Sequence, residues 1–415
     1  MDLLKTSALT AISTGVRILS GFIINKVLAM YAGPLGLAIV GQMQNFNSMV
    51  MTFAKGGITQ GIVKYTAEYN TIEEKQKIFS TSIIISLLSS VLVGIGLFIF
   101  RDYFSYVILK GEQYGNVFAV FGCTIILFAF NSVFMAILNG QKEIKGFVIA
   151  NILSSLFSLL ITCLLVIEYS LIGALYALVL SQSVVFFITL FITIKTNWFK
   201  LQYFINGIDR SSLKKLGKFS LMAMVSAVVV PVSHLCIRNY IVENLSWDSA
   251  GYWQGVWNIS KMYLLFITTS LGVYYTPKLS GLKDKKSIRN EIFNGYIKII
   301  PIVIVLALVI FTLKEYVILI AYSSEFIPMN ELFLWQLIGD VIKISSYLIS
   351  TIMIAKAMTF TYIFSEILFS VTYVLLSYYL ISKYNLIGVT YAYALNYFLY
   401  LSFIVLRFRS LFYVK

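Results

Sequence analysis

Apolar runs of about 20 residues, each separated from the next by a short polar or basic stretch, recur along the whole chain. About twelve are laid out at 8–30, 37–63, 79–100, 115–138, 147–167, 171–194, 216–237, 250–275, 297–313, 332–354, 362–381 and 386–406. A helix of that length spans the hydrocarbon core of a bilayer and satisfies every backbone polar group within itself. The pattern therefore predicts an all-α integral membrane protein. An even number of spans returns both termini to the same side.

The runs also repeat. Tyr169-Ser-Leu-Ile-Gly-Ala-Leu-Tyr-Ala opens the sixth and Tyr384-Asn-Leu-Ile-Gly-Val-Thr-Tyr-Ala opens the twelfth, a shift of about 215 residues that also carries Gly36 onto Gly251. Two matches at one offset indicate duplication. Six spans per copy make the copies parallel, related by an axis along the membrane normal. The expected architecture is two pseudo-symmetric six-helix bundles, 1–205 and 206–415, around a central cavity, with the basic stretch 195–218 as linker.

Composition supports the membrane reading: 59% of the 415 residues are hydrophobic and only 12% charged. The net charge of +14 is largely a matter of topology. With both termini in the cytoplasm, roughly 22 basic residues fall in inner loops and tails against about 5 outside. The densest inner loops hold Lys200, Arg210, Lys214 and Lys215, then Lys283, Lys285, Lys286 and Arg289. Anionic lipid of the inner leaflet is the partner such loops imply, and nucleic acid is not needed to explain them. Cys123, Cys163 and Cys236 lie within spans, where a thiol behaves as a small apolar group. The first run is too long for a signal-peptide core and reads as a retained helix.

Five cations interrupt the apolar runs: Arg17, Lys26, Lys55, Lys261 and Lys343, with Asp340 and Glu366 as comparably placed acids. An ionised group at membrane depth is a functional site by default, because hydrocarbon does not solvate it. Polar stripes accompany them at helical spacing. The second span carries Gly41, Asn45, Ser48, Thr52, Lys55 and Thr59; the eighth Gln254, Asn258, Lys261, Thr268 and Gly272; the tenth Gln336, Asp340, Lys343, Tyr347 and Ser350. Helix-to-helix adhesion through small and polar residues is the plain reading of such stripes. The lysines point beyond it, to a wet cavity that receives an anion. Substrate-binding candidates are Arg17, Lys26, Asn45, Lys55, Asn258, Lys261 and Lys343.

Several residues keep two readings. Arg17 and Lys26 sit about half a turn of azimuth apart, so both face the lumen only if the helix bends near Gly21; otherwise Lys26 snorkels outward. Asp340 and Lys343 are i, i+3 neighbours that either neutralise one another or serve gating or coupling. Glu366 is a proton or cation site or a buried neutral carboxyl. His234 carries protons or simply packs, and Arg238, at the outer end of a span kinked by Pro231, snorkels or guards an exit.

No metal-ligand cluster, nucleophile elbow, Walker loop or dinucleotide fingerprint is present, so no cofactor is expected. Without a phosphate-binding loop, transport would draw on a proton or sodium gradient or on the cargo's own gradient. A membrane-embedded glycan polymerase or ligase is the rival class, disfavoured by short outer loops such as 32–36 and 101–112. A drug exporter is a nearer rival, but cationic drugs call for carboxylates rather than lysines.

The residues resemble a known family. Tyr31-Ala-Gly-Pro-Leu-Gly-Leu, Gly61-Ile-Val-Lys-Tyr-Thr-Ala-Glu-Tyr, Ser246-Trp-Asp-Ser-Ala-Gly-Tyr-Trp-Gln-Gly-Val, Trp335-Gln-Leu-Ile-Gly-Asp-Val-Ile-Lys and Ile354-Ala-Lys-Ala follow one another as in the Wzx-type flippases for O-antigen and enterobacterial common antigen units. These form the polysaccharide-transport branch of the multidrug/oligosaccharidyl-lipid/polysaccharide exporter superfamily. The resemblance implies a bacterial inner membrane location, alternating access, and a cationic cavity for an undecaprenyl-diphosphate-linked oligosaccharide. It also implies O-antigen polymerase and chain-length regulator as partners. Arg17, Lys26, Arg238, Asp340 and Lys343 fall where members place like residues, whereas Lys261 departs from an acidic position of the common-antigen flippases.

Overall fold

The computed structural model describes residues 3–412 except 283 and 357, and excludes the side chains at 3–10, 182, 218, 219, 222, 270, 272–274, 276, 277, 280 and 412. The expectations placed on Lys283 and Gly272 lie outside that description. Fourteen α-helices run in order: α1 (Leu3–Ala54), α2 (Thr59–Glu68), α3 (Ile72–Ile99), α4 (Arg101–Leu109), α5 (Gly115–Gly140), α6 (Ile144–Ile194), α7 (Arg210–Asn244), α8 (Trp247–Gly281), α9 (Lys285–Thr312), α10 (Lys314–Ala321), α11 (Phe333–Ala355), α12 (Thr359–Tyr384), α13 (Ile387–Arg407) and α14 (Arg409–Phe412). No strand occurs among the described residues. Among the described residues, nine helices are long and apolar enough to cross a membrane. The protein is a multi-pass, all-α membrane protein.

Two of the longest helices are broken internally. Gly33 (φ 62°) divides α1 and Ser170 (φ 49°) divides α6, so each contains two straight stretches rather than one. Pro34 follows the first break, where its missing N–H costs nothing at the start of a new helical stretch. Polar caps set the starts of others: the Thr71 hydroxyl accepts the Glu74 N–H and donates at 2.7 Å to the Glu74 carboxylate, capping α3. Asp209, Ser246 and Asp284 accept the N–H three residues on, opening α7, α8 and α9.

The chain forms two compact units, one of Met1–Ala32 with Ile39–Pro231 and the other of Gly33–Ala38 with Val232–Lys415. In the first, α5 packs against α3 and α6. The packing inverts the soluble pattern. On α3, Leu88, Leu92, Ile95 and Ile99 point outward, while Ser82, Ser86, Ser90 and Gly94 are buried at a spacing of four. Lipid tails are as apolar as leucine, so leucine gains nothing by turning inward; small residues bring backbones together instead. Gly94 and Gly122 each leave only 2.6 Å between an ideal Cβ and the other's carbonyl oxygen, so α3 and α5 meet backbone to backbone.

In the second unit α11 is central, packed against α8, α9 and α13. Gly339 of α11 lies under the Tyr393 ring, and Gly251 of α8 lies against the Pro34 carbonyl. The duplication is visible inside each unit. Ser170 and Asn385 share positive φ (49° and 55°), and Gly173 and Gly388 sit against the carbonyls of Leu165 and Leu380. The same strained reversal with the same glycine contact occurs twice, at the offset that the sequence repeat gives.

The second apolar run differs from its expected form. The helix ends at Ala54, and Gly56 and Gly57 adopt φ of +67° and +65° before α2 begins. Consecutive glycines take this conformation without the Cβ clash that other residues suffer. Lys55 therefore sits in a break between helices, not inside one.

Candidate functional site

The first unit contains an open cavity of about 790 Å³. One wall is built from α1, where Arg17, Ser20, Gly21 and Ile24 share a face at helical spacing, and from the break that carries Lys55. The rest of the lining comes from α5 and α6: Asn131, Met135 and Asn139 rise four residues at a time, and Phe147, Asn151, Ser154, Ser155 and Ser158 follow the same rule. Thr59 and Gln60 from the start of α2 complete it. Among the described residues, no carboxylate lines this space.

Arg17 and Lys55 are thus brought into one chamber from widely separated positions. Arg17 is exposed and makes no hydrogen bond or ion pair among the described residues. The Lys55 ammonium lies 5.4 Å from the centroid of the Phe128 ring, and its backbone is tethered by the break: Ser220 Oγ donates to the Gly56 carbonyl at 2.6 Å. A cation over a ring face keeps its charge available on the far side. The chamber therefore offers two positive heads with no acid among its described lining residues.

Lys26 and Asn45 are half-buried on α1 and do not line this cavity. The hydroxyls of the second-span stripe turn back on their own helix, Ser48 to the Asn45 carbonyl at 2.9 Å and Thr52 to the Ser48 carbonyl at 3.0 Å. That local bonding removes them as donors to a guest. Asn131, Asn139, Asn151 and Gln60 were not singled out by the sequence. Their signal was there as regularly spaced amides within apolar runs, unaccompanied by the charge that draws attention.

The second unit buries Arg238, His234, Asn258 and Asp340 in its interior. Arg238 is not at an exposed helix end: only 1% of it is accessible. Its guanidinium donates to Gln254 Oε1 and lies 5.3 Å from the Trp253 ring centroid, and Gln254 Nε2 donates onward to Asn258 Oδ1 at 2.9 Å. A buried guanidinium needs acceptors for its donors, and Gln254 of α8 supplies one. His234, one turn before it, stacks on Trp253 with ring centroids 5.5 Å apart and meets Trp257 at 4.5 Å. It is held as a packed ring.

Asp340 and Lys343 are not ion-paired to each other. The Asp340 carboxylate, fully buried, accepts from Tyr263 and Tyr393, each at 2.8 Å. The Lys343 ammonium instead sits among three rings, 5.1 Å from Trp257, 5.4 Å from Tyr397 and 5.8 Å from Tyr393. Two phenols thus satisfy the acid and three aromatic faces cradle the cation. Lys261, one turn beyond Asn258 on α8, is exposed and makes no hydrogen bond or ion pair among the described residues. Glu366 is half-buried on α12.

Comparison with known proteins gives this arrangement its family. A model of the family described as polysaccharide biosynthesis protein matches residues 3–283. The lipid III flippases of Escherichia coli (strain K12) and Shigella flexneri are each 30% identical over 406 residues, 97% of this chain and 97% of theirs. Among solved structures, an inward-facing multidrug resistance MATE family transporter of the MOP superfamily matches with a TM-score of 0.77 at 17% identity, over 96% of this chain and 98% of that one. The lipid II flippase MurJ, in an inward closed conformation, matches with a TM-score of 0.73 at 16% identity, over 98% of this chain and 87% of that one. At such identities the structural likeness is one of fold. Since the family model matches two thirds of the chain and the curated relatives align over 97% of it, the chain belongs to the polysaccharide biosynthesis protein family, among the Wzx-type flippases.

Proposed function

We propose that this protein moves a polyprenyl-diphosphate-linked oligosaccharide, an O-unit or a related repeat, from the inner to the outer leaflet of a bacterial inner membrane. The observation that carries the reading is the meeting of Arg17 and Lys55 in one cavity with no acid among its described lining residues. Moving a diphosphate and sugars across hydrocarbon is prohibitive because their polar groups lose water without compensation. The cavity supplies what water did: a guanidinium able to hold phosphate oxygens in pairs, an ammonium, and a ring of amides and hydroxyls. The printed names of the curated relatives, lipid III flippases, support the same cargo class.

In this reading α1 and α6 each cross the membrane twice and the chain crosses twelve times, with both termini on the cytoplasmic side where the basic loops lie. Two parallel bundles alternate access to the leaflets, and a proton or sodium gradient drives the cycle through the acids of the second unit, Asp340 and Glu366. The flipped unit then passes to a polymerase and its chain-length regulator. The protein makes and breaks no covalent bond. A cationic drug is a poorer cargo, since the cavity would repel it.

The test is reconstitution of the full chain in vesicles with a fluorescent polyprenyl-diphosphate oligosaccharide, read by the fraction that a membrane-impermeant quencher reaches. Wild type accelerates the redistribution, and Arg17→Ala and Lys55→Ala each abolish it at wild-type protein levels. Full transport by both variants refutes the assignment.

A further inference from the structure

The α5–α6 lining of the cavity carries no charge, yet it is built as a binding surface. Asn131 is 5% exposed, and its Oδ1 has no hydrogen-bond partner. A buried acceptor left unpaired is costly, so its persistence in a cavity wall marks a place where a guest donates. Its neighbours are prepared in the same sense. Asn151 Nδ2 is bonded to the Phe147 carbonyl at 2.9 Å, which fixes the amide and leaves Oδ1 as the free end. Ser154 and Ser155 spend their protons on the Ala150 and Asn151 carbonyls, at 2.5 and 2.9 Å, and keep their oxygens as acceptors. The α5–α6 lining is therefore acceptor-rich and uncharged, and it shares the 790 Å³ cavity with Arg17 and Lys55.

We infer that this α5–α6 wall, centred on Asn131 and Asn151, is the site that reads the glycan: it takes an uncharged, hydroxyl-rich or acetamido sugar attached directly to the diphosphate. The inference rests on the proposed cargo and assigns the two walls separate tasks. Sugar hydroxyls are donors as well as acceptors, and oxygens already oriented by their own helices receive them without loss of side-chain freedom. A cationic amino sugar finds no carboxylate here. The volume also fits, because a diphosphate alone does not need a space near the upper end of the usual range of roughly 300–1,000 Å³ for ligand sites.

The test uses the purified full chain in nanodiscs and two probes that share one lipid, a polyprenyl diphosphate without sugar and the same lipid bearing a single N-acetylglucosamine, with affinities measured by calorimetry. Wild type binds the glycosylated probe the more tightly. Asn131→Leu and Asn151→Leu, and the exposed Asn139→Ala in which folding is not at stake, reduce that preference by roughly 3- to 10-fold per lost hydrogen bond and leave affinity for the bare lipid unchanged. Arg17→Ala weakens both probes. Equal affinity of wild type for the two probes overturns the sugar site while the diphosphate reading stands. Equal loss of both probes in the asparagine variants overturns it as well, showing a merely structural role. Failure of wild type to bind either probe defeats the proposed function itself.

Discussion

Gly388 lies with its α-carbon directly against the carbonyl of Leu380, and the same contact recurs between Gly173 and Leu165. In both places the chain has just reversed through a residue of positive φ, Asn385 or Ser170. A methyl group at either glycine has nowhere to go, because what it meets is backbone. Gly388→Ala and Gly173→Ala should each destabilise by about 1–3 kcal/mol. Asn385→Gly, which relieves strained φ, should stabilise by about 1 kcal/mol. Thermal unfolding in detergent checks all three, with Gly96→Ala, whose Cβ meets nothing within 4 Å, as the neutral comparison.

The two phenols on Asp340 make a second prediction. Tyr263→Phe and Tyr393→Phe each leave a fully buried carboxylate one donor short. The expected cost is about 1–3 kcal/mol apiece. The double variant should lose less than the sum if Asp340 then finds water, and a denaturant titration of the four proteins reports the difference.

Lys343 is expected to depend on its rings and not on Asp340. A double-mutant cycle of Lys343→Met with Trp257→Leu should show a coupling of about 0.5–2 kcal/mol, the range for a desolvated cation over aromatic faces. A coupling near zero would mean that the ammonium does not reside there.

Placement of Lys55 depends on the glycines after it. A Cβ at Gly57 stands 2.9 Å from the Ser220 carbonyl oxygen, and its φ of +65° is unfavourable to any other residue. Gly57→Ala should therefore shift the break and reduce transport at least 10-fold, though Lys55 itself is intact. Transport in vesicles, normalised to folded protein, measures it.

Acid should loosen the helix starts outside the membrane. The Ser212 backbone N–H holds Asp209 below the ordinary carboxylate value, and the Ser287 N–H does the same for Asp284. A depressed folded-state value means that the stabilisation is complete above the unfolded value of about 3.9 and is lost as pH falls through the lower one. Amide exchange at the first turns of α7 and α9 should quicken below about pH 4, and Asp284→Asn, which retains a capping oxygen, should flatten the dependence at α9.

The apolar periodicity is sufficient to read a helical, multi-pass chain, because a lipid solvent admits no other way to satisfy so many consecutive backbone groups. The offset between Tyr169 and Tyr384 was equally legible, and it reappears as the paired reversals at Ser170 and Asn385. Arg17 and Lys55 were conspicuous from the start, since charge within an apolar run needs a reason. The polar amides facing them were not, because a lone asparagine in a span is common adhesion between helices.

Sequence by itself determined which residues share a face of one helix, for that follows from 3.6 residues per turn. Only the tertiary structure decided which faces meet. The glycine break after Ala54 turned Lys55 toward the wall of α5 and α6, and the packing of α7 on α8 buried Arg238 that helix position alone had placed at an exposed end. Pairing of faces depends on kinks and on the close approach of small residues from distant parts of the chain, and no local period encodes those.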